Sequence, residues 1–246
     1  MSAAAAIVVA AVLLLPSPAL DLAALGGRSP SPLTAAIVDQ LGATQPNPDF
    51  VKAATDTLEQ AGYRVDYYPP EAVTVDFYRS LPGGDYDLIV LRTHSTAVIS
   101  RGEEEVESVS LFTNEPYSRD RYYDEQVAGR IGFAQYQEGG SQFFGVTADF
   151  VRFSMNGRFD GSTIVMMGCQ GFVNERAFAA FAERGAGDFI SWNGLVSAVH
   201  TDEATEHLLR HLTLERQPAE EAVTLTMTEV GPDPTYGSRL LYEPFE

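Results

Sequence analysis

Apolar and polar positions alternate along this chain with two periods. From residue 33 onward, short apolar runs bounded by turn residues are separated by stretches with helical spacing. Residues 33–41 (Leu-Thr-Ala-Ala-Ile-Val-Asp-Gln-Leu) predict a first strand. Asn47-Pro48-Asp49 then opens a helix. Asn47 suits a cap and Pro48 the first turn, and Phe50, Ala54, Leu58 and Ala61 recur at helical spacing before the stop at Gly62. Residues 63–68 predict a second strand, 73–81 a short helix, and 85–94 (Asp-Tyr-Asp-Leu-Ile-Val-Leu-Arg-Thr-His) a third strand ending in His94. Helical spacing returns over 147–155, and within residues 162–172 (Ser-Thr-Ile-Val-Met-Met-Gly-Cys-Gln-Gly-Phe) the apolar run Ile164–Met167 predicts a fourth strand, with Cys169 just past its carboxyl end. A helix over 173–184, with Phe178, Ala179, Phe181 and Ala182 inward, a strand over 188–192, helices over 201–214 and 218–230 and an edge strand over 238–242 complete the pattern. The run Ile164–Met167 is continuously apolar rather than alternating, as in parallel strands covered on both faces.

Alternation of strand and helix in this order predicts an α/β fold, a doubly wound and mostly parallel sheet between two helical layers. Residues 95–147 break the alternation. They carry the acidic run Glu103-Glu104-Glu105, polar-aromatic stretches and many turn residues, and read as an inserted hairpin or flap with the acidic run solvated. Before the folded region, residues 3–15 are uninterruptedly apolar and 26–32 are rich in Gly, Ser and Pro. The apolar run is shorter than the roughly 20 residues a membrane-spanning helix needs, and its length fits a signal-peptide core. No Lys or Arg precedes it and no Ala-x-Ala cleavage site follows. The division is therefore a signal-like or membrane-tether segment over 1–20, a linker over 21–32 and the α/β domain over 33–246. It implies a secreted or membrane-anchored, extracytoplasmic protein, with a cytoplasmic one as the alternative.

Composition narrows the function. The 246 residues carry a formal net charge of −18, with 34 Asp and Glu against 16 Lys and Arg, of which only Lys52 is lysine. Nucleic acids and anionic membrane surfaces need a basic footprint, so neither is the expected partner. The acidic surface suits a protein kept soluble in high salt, although a high-GC genome also produces arginine in place of lysine. A single cysteine excludes internal disulfides and cysteine cages for metals.

The chemistry follows from where that cysteine stands. Chemistry in open α/β sheets collects beyond the carboxyl ends of the strands, and both His94 and Cys169 follow strands. Neighbouring strands lie about 4.8 Å apart, so if the third and fourth strands pair, the imidazole and the thiol face one cleft. Histidine beside a thiol can take the sulfur's proton and return it to a departing amine. The backbone amides of Cys169, between Gly168 and Gly171, and of Ser95, next to His94, are the candidate donors to a developing oxyanion. A tyrosine-phosphatase loop is excluded by count, since six residues rather than five separate Cys169 from Arg176.

Strand-then-His (Leu-Ile-Val-Leu-Arg-Thr-His94-Ser) followed by strand-then-Cys (Thr-Ile-Val-Met-Met-Gly-Cys169-Gln-Gly) resembles the caspase-like fold of the clan CD cysteine peptidases, the caspases, legumains, gingipains, clostripain and separase. The resemblance spans residues 33–214. It implies a caspase-like three-layer domain that hydrolyses peptide bonds through a Cys-His dyad, with a protein or peptide substrate and no cofactor. That group usually has glycine directly after the histidine, where Ser95 stands here. Trp192, Asn193 and Asp202, on the same edge, are candidates for the substrate pocket, which the related enzymes build partly there. Trp192 reads equally as core, and Asp202 reads also as a helix N-terminal carboxylate. His200, His207 and His211 form a second cluster, with Glu203, His207 and His211 at i, i+4 spacing. No third ligand is evident in the sequence, so the stripe reads as an exposed helical face and no metal is expected. A non-catalytic caspase-like module that binds protein or peptide, and acyl hydrolysis or transfer by the same dyad, are the alternative functions.

Overall fold

The computed structural model describes residues 32–245 except 100–105 and 138. The signal-like segment and all but the last residue of the linker lie outside the described residues. No described helix is long and apolar enough to cross a membrane.

A six-stranded sheet forms the centre. Its strands are β1 (Leu33–Asp39), β2 (Tyr63–Tyr68), β3 (Leu88–Arg92), β8 (Thr163–Met166), β9 (Asp188–Trp192) and β10 (Leu240–Pro244). They run in the order β10-β9-β8-β3-β1-β2, and all pairings are parallel except the antiparallel edge strand β10. The chain moves outward from β1 to β2 and then returns past β1 to β3. Right-handed crossovers therefore put α1 (Pro48–Gln60) and α2 (Val75–Ser80) on opposite faces, and the reversal opens a crevice at the carboxyl ends of β1 and β3.

Period-2 geometry explains why these strands read as unbroken apolar runs. Ala35, Ile37, Leu88, Val90, Val165, Ile190 and Trp192 face one way, onto Phe50, Ala54 and Leu58 of α1, α6 (Ala198–Leu209) and α7 (Ala219–Glu229). Ala36, Val38, Ile89, Leu91, Ile164 and Phe189 face the other way, onto α2, α4 (Ala148–Phe153) and α5 (Glu175–Glu183). Helix α1 starts where the sequence places its cap, with Asn47 Oδ1 accepting from Phe50 N at 3.1 Å.

The first strand stops at Asp39, short of Leu41, because the Asp39 carboxylate accepts from Gly42 N (2.9 Å) and the chain turns into a 3-10 segment over Leu41–Ala43. Within residues 95–147 the chain is not a single hairpin. It builds β4 (Ser95–Ile99), β5 (Val106–Pro116), the short α3 (Tyr123–Val127), β6 (Ile131–Gln135) and β7 (Gln142–Thr147). The four strands pair antiparallel in the order β4-β5-β7-β6, and Val109, Leu111, Phe144 and Val146 press into the core on the α2 side.

Candidate active site at the carboxyl edge of β3 and β8

Strands β3 and β8 are direct neighbours, in register from Leu88↔Thr163 to Leu91↔Met166, and Met167 N closes the ladder on Leu91 O at 2.9 Å. Beyond that bond the two chains diverge. The β3 chain crosses into the second sheet, where Phe112 N donates to His94 O (3.0 Å), so His94 stands at the junction of the two sheets.

Further contacts hold His94. Its amide donates to Gln40 Oε1 at 2.8 Å, Nε2 lies 2.8 Å from Thr44 Oγ1, and the ring packs on Tyr136 and Phe112 with centroids 4.8 and 5.8 Å away. Thr44 Oγ1 also donates to Leu41 O (3.3 Å). That leaves the hydroxyl to accept from Nε2–H and assigns the lone pair to Nδ1. Burial among the aromatic rings, and secondarily the Arg92 charge, lower the His94 pKa to about 4, so the imidazole is neutral at neutral pH. Gln40, fully buried at the end of β1, ties this corner together, since its Nε2 donates to Asn114 Oδ1 and Tyr136 OH, both at 2.8 Å.

The loop after β8 is equally constrained. Thr201 Oγ1 donates to Met167 O (2.9 Å), Ser95 Oγ to Cys169 O (2.6 Å), and Ala97 N to Gln170 Oε1 (3.0 Å). Gly168 is required by space: a Cβ there would lie 2.3 Å from Ser95 Oγ and 2.7 Å from the Thr93 carbonyl oxygen. Gln170 holds a left-handed backbone (φ 64°), and its amide donates to Gly194 O at 2.9 Å. Within this frame the Cys169 thiol turns to Val196, accepting from its amide at 3.5 Å and pointing at its carbonyl at 3.7 Å. Burial pushes the Cys169 thiol up; the Val196 amide acts against that shift, and the Asp233 charge adds to it.

His94 and Cys169 line one small cleft, together with Leu41, Val196 and Ala198, of about 30 Å³. A space of that size holds a water or two rather than a side chain. The phase of the β4–β5 ladder decides where the Ser95 amide points. Phe112 N bonds to His94 O while Ser95 pairs with Leu111, so Ser95 occupies a non-hydrogen-bonded position and its N–H turns away from β5. That is the side on which Ala97 N, two residues on, meets the Cys169 loop.

The three pocket candidates stand elsewhere. Trp192 is fully buried, with its indole N–H on Thr201 Oγ1 (2.9 Å) and its ring against His200 (5.4 Å); it is core, on the face covered by α6. Asn193 is exposed and clamps β9 to the approach of β10, donating from its amide to Arg239 O (3.1 Å) and accepting Arg239 N at Oδ1 (2.9 Å). Asp202 is buried, and Arg92 engages both of its oxygens at 2.7 Å, so it offers no free carboxylate to a substrate. It is not a first-turn carboxylate of α6 either, because the helix begins at Ala198. Arg92 has no exposure and also binds Asp39 Oδ1 (2.7 Å) and Gln45 O (2.9 Å), while Asn47 Nδ2 donates to Asp202 Oδ2 (2.9 Å). His200 turns inward, away from His207 and His211, with Nε2 at 3.2 Å from Gly231 O. His211 is buried beneath α7 rather than lying on an exposed face.

Gln40, Thr44 and Tyr136, which hold the imidazole, escape the sequence reading. Only the rule that chemistry gathers beyond strand ends points to Gln40 and Thr44, and nothing in the sequence points to Tyr136.

No family model matches the chain, and no curated protein matches it. Among solved structures it is similar to the crystal structure of the Arg-specific cysteine proteinase gingipain R, at 11% identity and a TM-score of 0.41. The match covers 80% of this chain and 42% of that one, so this chain spans less than half of that protein's length.

Proposed function

We propose that the chain is a cysteine endopeptidase in which Cys169 is the nucleophile and His94 carries the proton. The supporting observation is that the two side chains, each just past the carboxyl end of one of two adjacent parallel strands, line a single cleft. The resting pair is neutral, an imidazole with its lone pair on Nδ1 and a protonated thiol parked on Val196. Catalysis begins when the thiol rotates off Val196 and gives its proton to His94. The sulfur then bonds to the scissile carbonyl carbon, and the oxygen takes up the electron pair in reach of the Ser95 and Cys169 amides. As the carbonyl re-forms, the carbon–nitrogen bond breaks and His94 delivers its proton to the leaving amine. Water, deprotonated by His94, releases the acyl group from sulfur, and the proton returns to the thiolate. Serine in place of glycine after the histidine preserves the amide this scheme needs. Its hydroxyl adds a bond to the Cys169 carbonyl.

The test compares wild type with Cys169→Ala on a peptide library and labels both with a thiol-directed acyloxymethyl ketone. Wild type is expected to cleave and to label, and the variant to do neither. Equal cleavage by the two proteins removes this site from consideration.

A second reading, a non-catalytic module that binds a peptide, is favoured by the raised thiol pKa and the small cleft. It predicts an inert thiol, with peptide binding that survives Cys169→Ala.

A further inference from the structure

Away from the His94–Cys169 cleft, the end of α6 and the end of α7 converge on a set of ligating side chains. His207 and His211 are four residues apart and share a helical face. The α-helix ends at Leu209 and widens into a π-helical turn over Arg210–Leu214, a local form that often marks functional sites. Glu229, the last residue of α7, supplies the third ligand that the sequence alone does not reveal. Its Oε2 lies 2.5 Å from His207 Nδ1 and 3.1 Å from His211 Nε2. The three ligand atoms lie within 4.8 Å of one another.

A carboxylate stands at each ring nitrogen of His211, Glu215 Oε2 at 2.8 Å from Nδ1 and Glu229 Oε2 at 3.1 Å from Nε2. Arg210 brings a cation to the point where the three ligands meet: its Nη2 lies 2.7 Å from Glu229 Oε2, 3.3 Å from His207 Nδ1 and 3.4 Å from His211 Nε2. The same guanidinium already holds Glu215 Oε1 through Nη1 at 2.6 Å, so it can withdraw onto Glu215 without losing its charge partner. Two imidazole nitrogens and a carboxylate oxygen around a cation-occupied point, with one imidazole oriented from behind by a second carboxylate, form the donor set and supporting layer of zinc-class ions.

We propose that His207, His211 and Glu229 bind a divalent transition-metal ion such as Zn²⁺, with Glu215 orienting His211 and Arg210 occupying the position until the metal displaces it. The bound ion clamps α7 to the end of α6, the helix whose opposite end contributes Ala198 and Thr201 to the cleft lining. The proposal stands independently of the role assigned to Cys169.

Calorimetric titration of Zn²⁺ into the full chain carrying Cys169→Ala, after removal of metal by chelation, separates this site from the thiol. One equivalent is expected to bind. His207→Ala and Glu229→Gln, both at partly exposed positions and each checked for retained folding by circular dichroism, are expected to abolish it. Glu215→Gln is expected to weaken binding about tenfold or more, as loss of an orienting carboxylate does at other metal sites. Arg210→Gln is expected to tighten it by removing the resident cation. Co²⁺ in place of Zn²⁺ gives visible absorption bands that report the nitrogen and oxygen ligands directly. Absence of binding, binding that survives His207→Ala, or weaker binding in Arg210→Gln overturns the proposal.

Discussion

His94 is a depressed base, and the sign of its effect on stability follows from that. Its pKa falls from the ordinary 6.5 to about 4 in the folded protein, so between those values the unfolded chain binds a proton that the native state does not. Stability therefore rises with pH through this window, is fully present above about 6.5 and is lost progressively as the pH falls toward 4. Replacement by a residue that does not titrate removes that part of the slope. Denaturant titrations at pH 7 and pH 4.5 are expected to show a smaller loss of stability on acidification in His94→Gln than in wild type. An equal loss in both proteins contradicts the burial of the imidazole. The same shift predicts, for a peptidase, an acid limb of kcat/KM near pH 4 rather than near 6.5, because His94 accepts protons only while neutral.

The elements meet at a buried ion network that the sequence conceals. Arg92 at the end of β3 joins Asp39 at the end of β1, Asp202 in α6 and the backbone of the β1–α1 loop, and Asn47 links the same cluster to the start of α1. Removing the arginine leaves two carboxylates without their counter-ion in a dry site, so Arg92→Met is expected to cost about 3–5 kcal/mol. Urea denaturation measures this, and a change below about 1 kcal/mol would show that water or Asn47 already compensates the carboxylates. Arg92 and Asp202 are 110 residues apart, which explains why Asp202 reads in the sequence as a free carboxylate near a pocket. Trp192 misleads for a related reason. In a strand buried on both faces, apolar residues face either way, and only the packed helices reveal that its indole points beneath α6 and not to the sheet edge. The strands β2 and β9 are legible to the residue because turn residues bound them, Gly62 and Pro69 on either side of β2 and Gly187 and Gly194 on either side of β9. The edge shared by His94 and Cys169 is legible because each run ends in a chemically distinctive side chain. Residues 95–147 are less so, since β4 to β7 mix polar and aromatic positions and pair among themselves across long separations.

For the molecule as a whole, charge is the property that composition and structure state together. A net −18 on 246 residues means that folding gathers like charges into a smaller volume, and the resulting self-repulsion opposes the compact state. Salt acts on two terms of opposite sign. It screens the repulsion, and it also weakens exposed ion pairs such as Lys52–Asp56 and Arg64–Asp66. Exposed pairs contribute little each, because water screens them and ordering two long side chains costs entropy. The Arg92 network is screened little because it is dry. The repulsion runs over the entire surface and is felt across the roughly 30 Å Debye length of 0.01 M salt but scarcely at the roughly 3 Å of 1 M. The repulsive contribution therefore dominates the difference, and the melting temperature is expected to rise steadily as NaCl is raised between those concentrations. Repeating the series near pH 4.5, where the net charge is close to zero, separates screening from any effect of salt on burial. A rise at pH 7 that shrinks near pH 4.5 assigns the effect to charge. A fall with NaCl would mean that the ion pairs outweigh the net charge in holding this fold together.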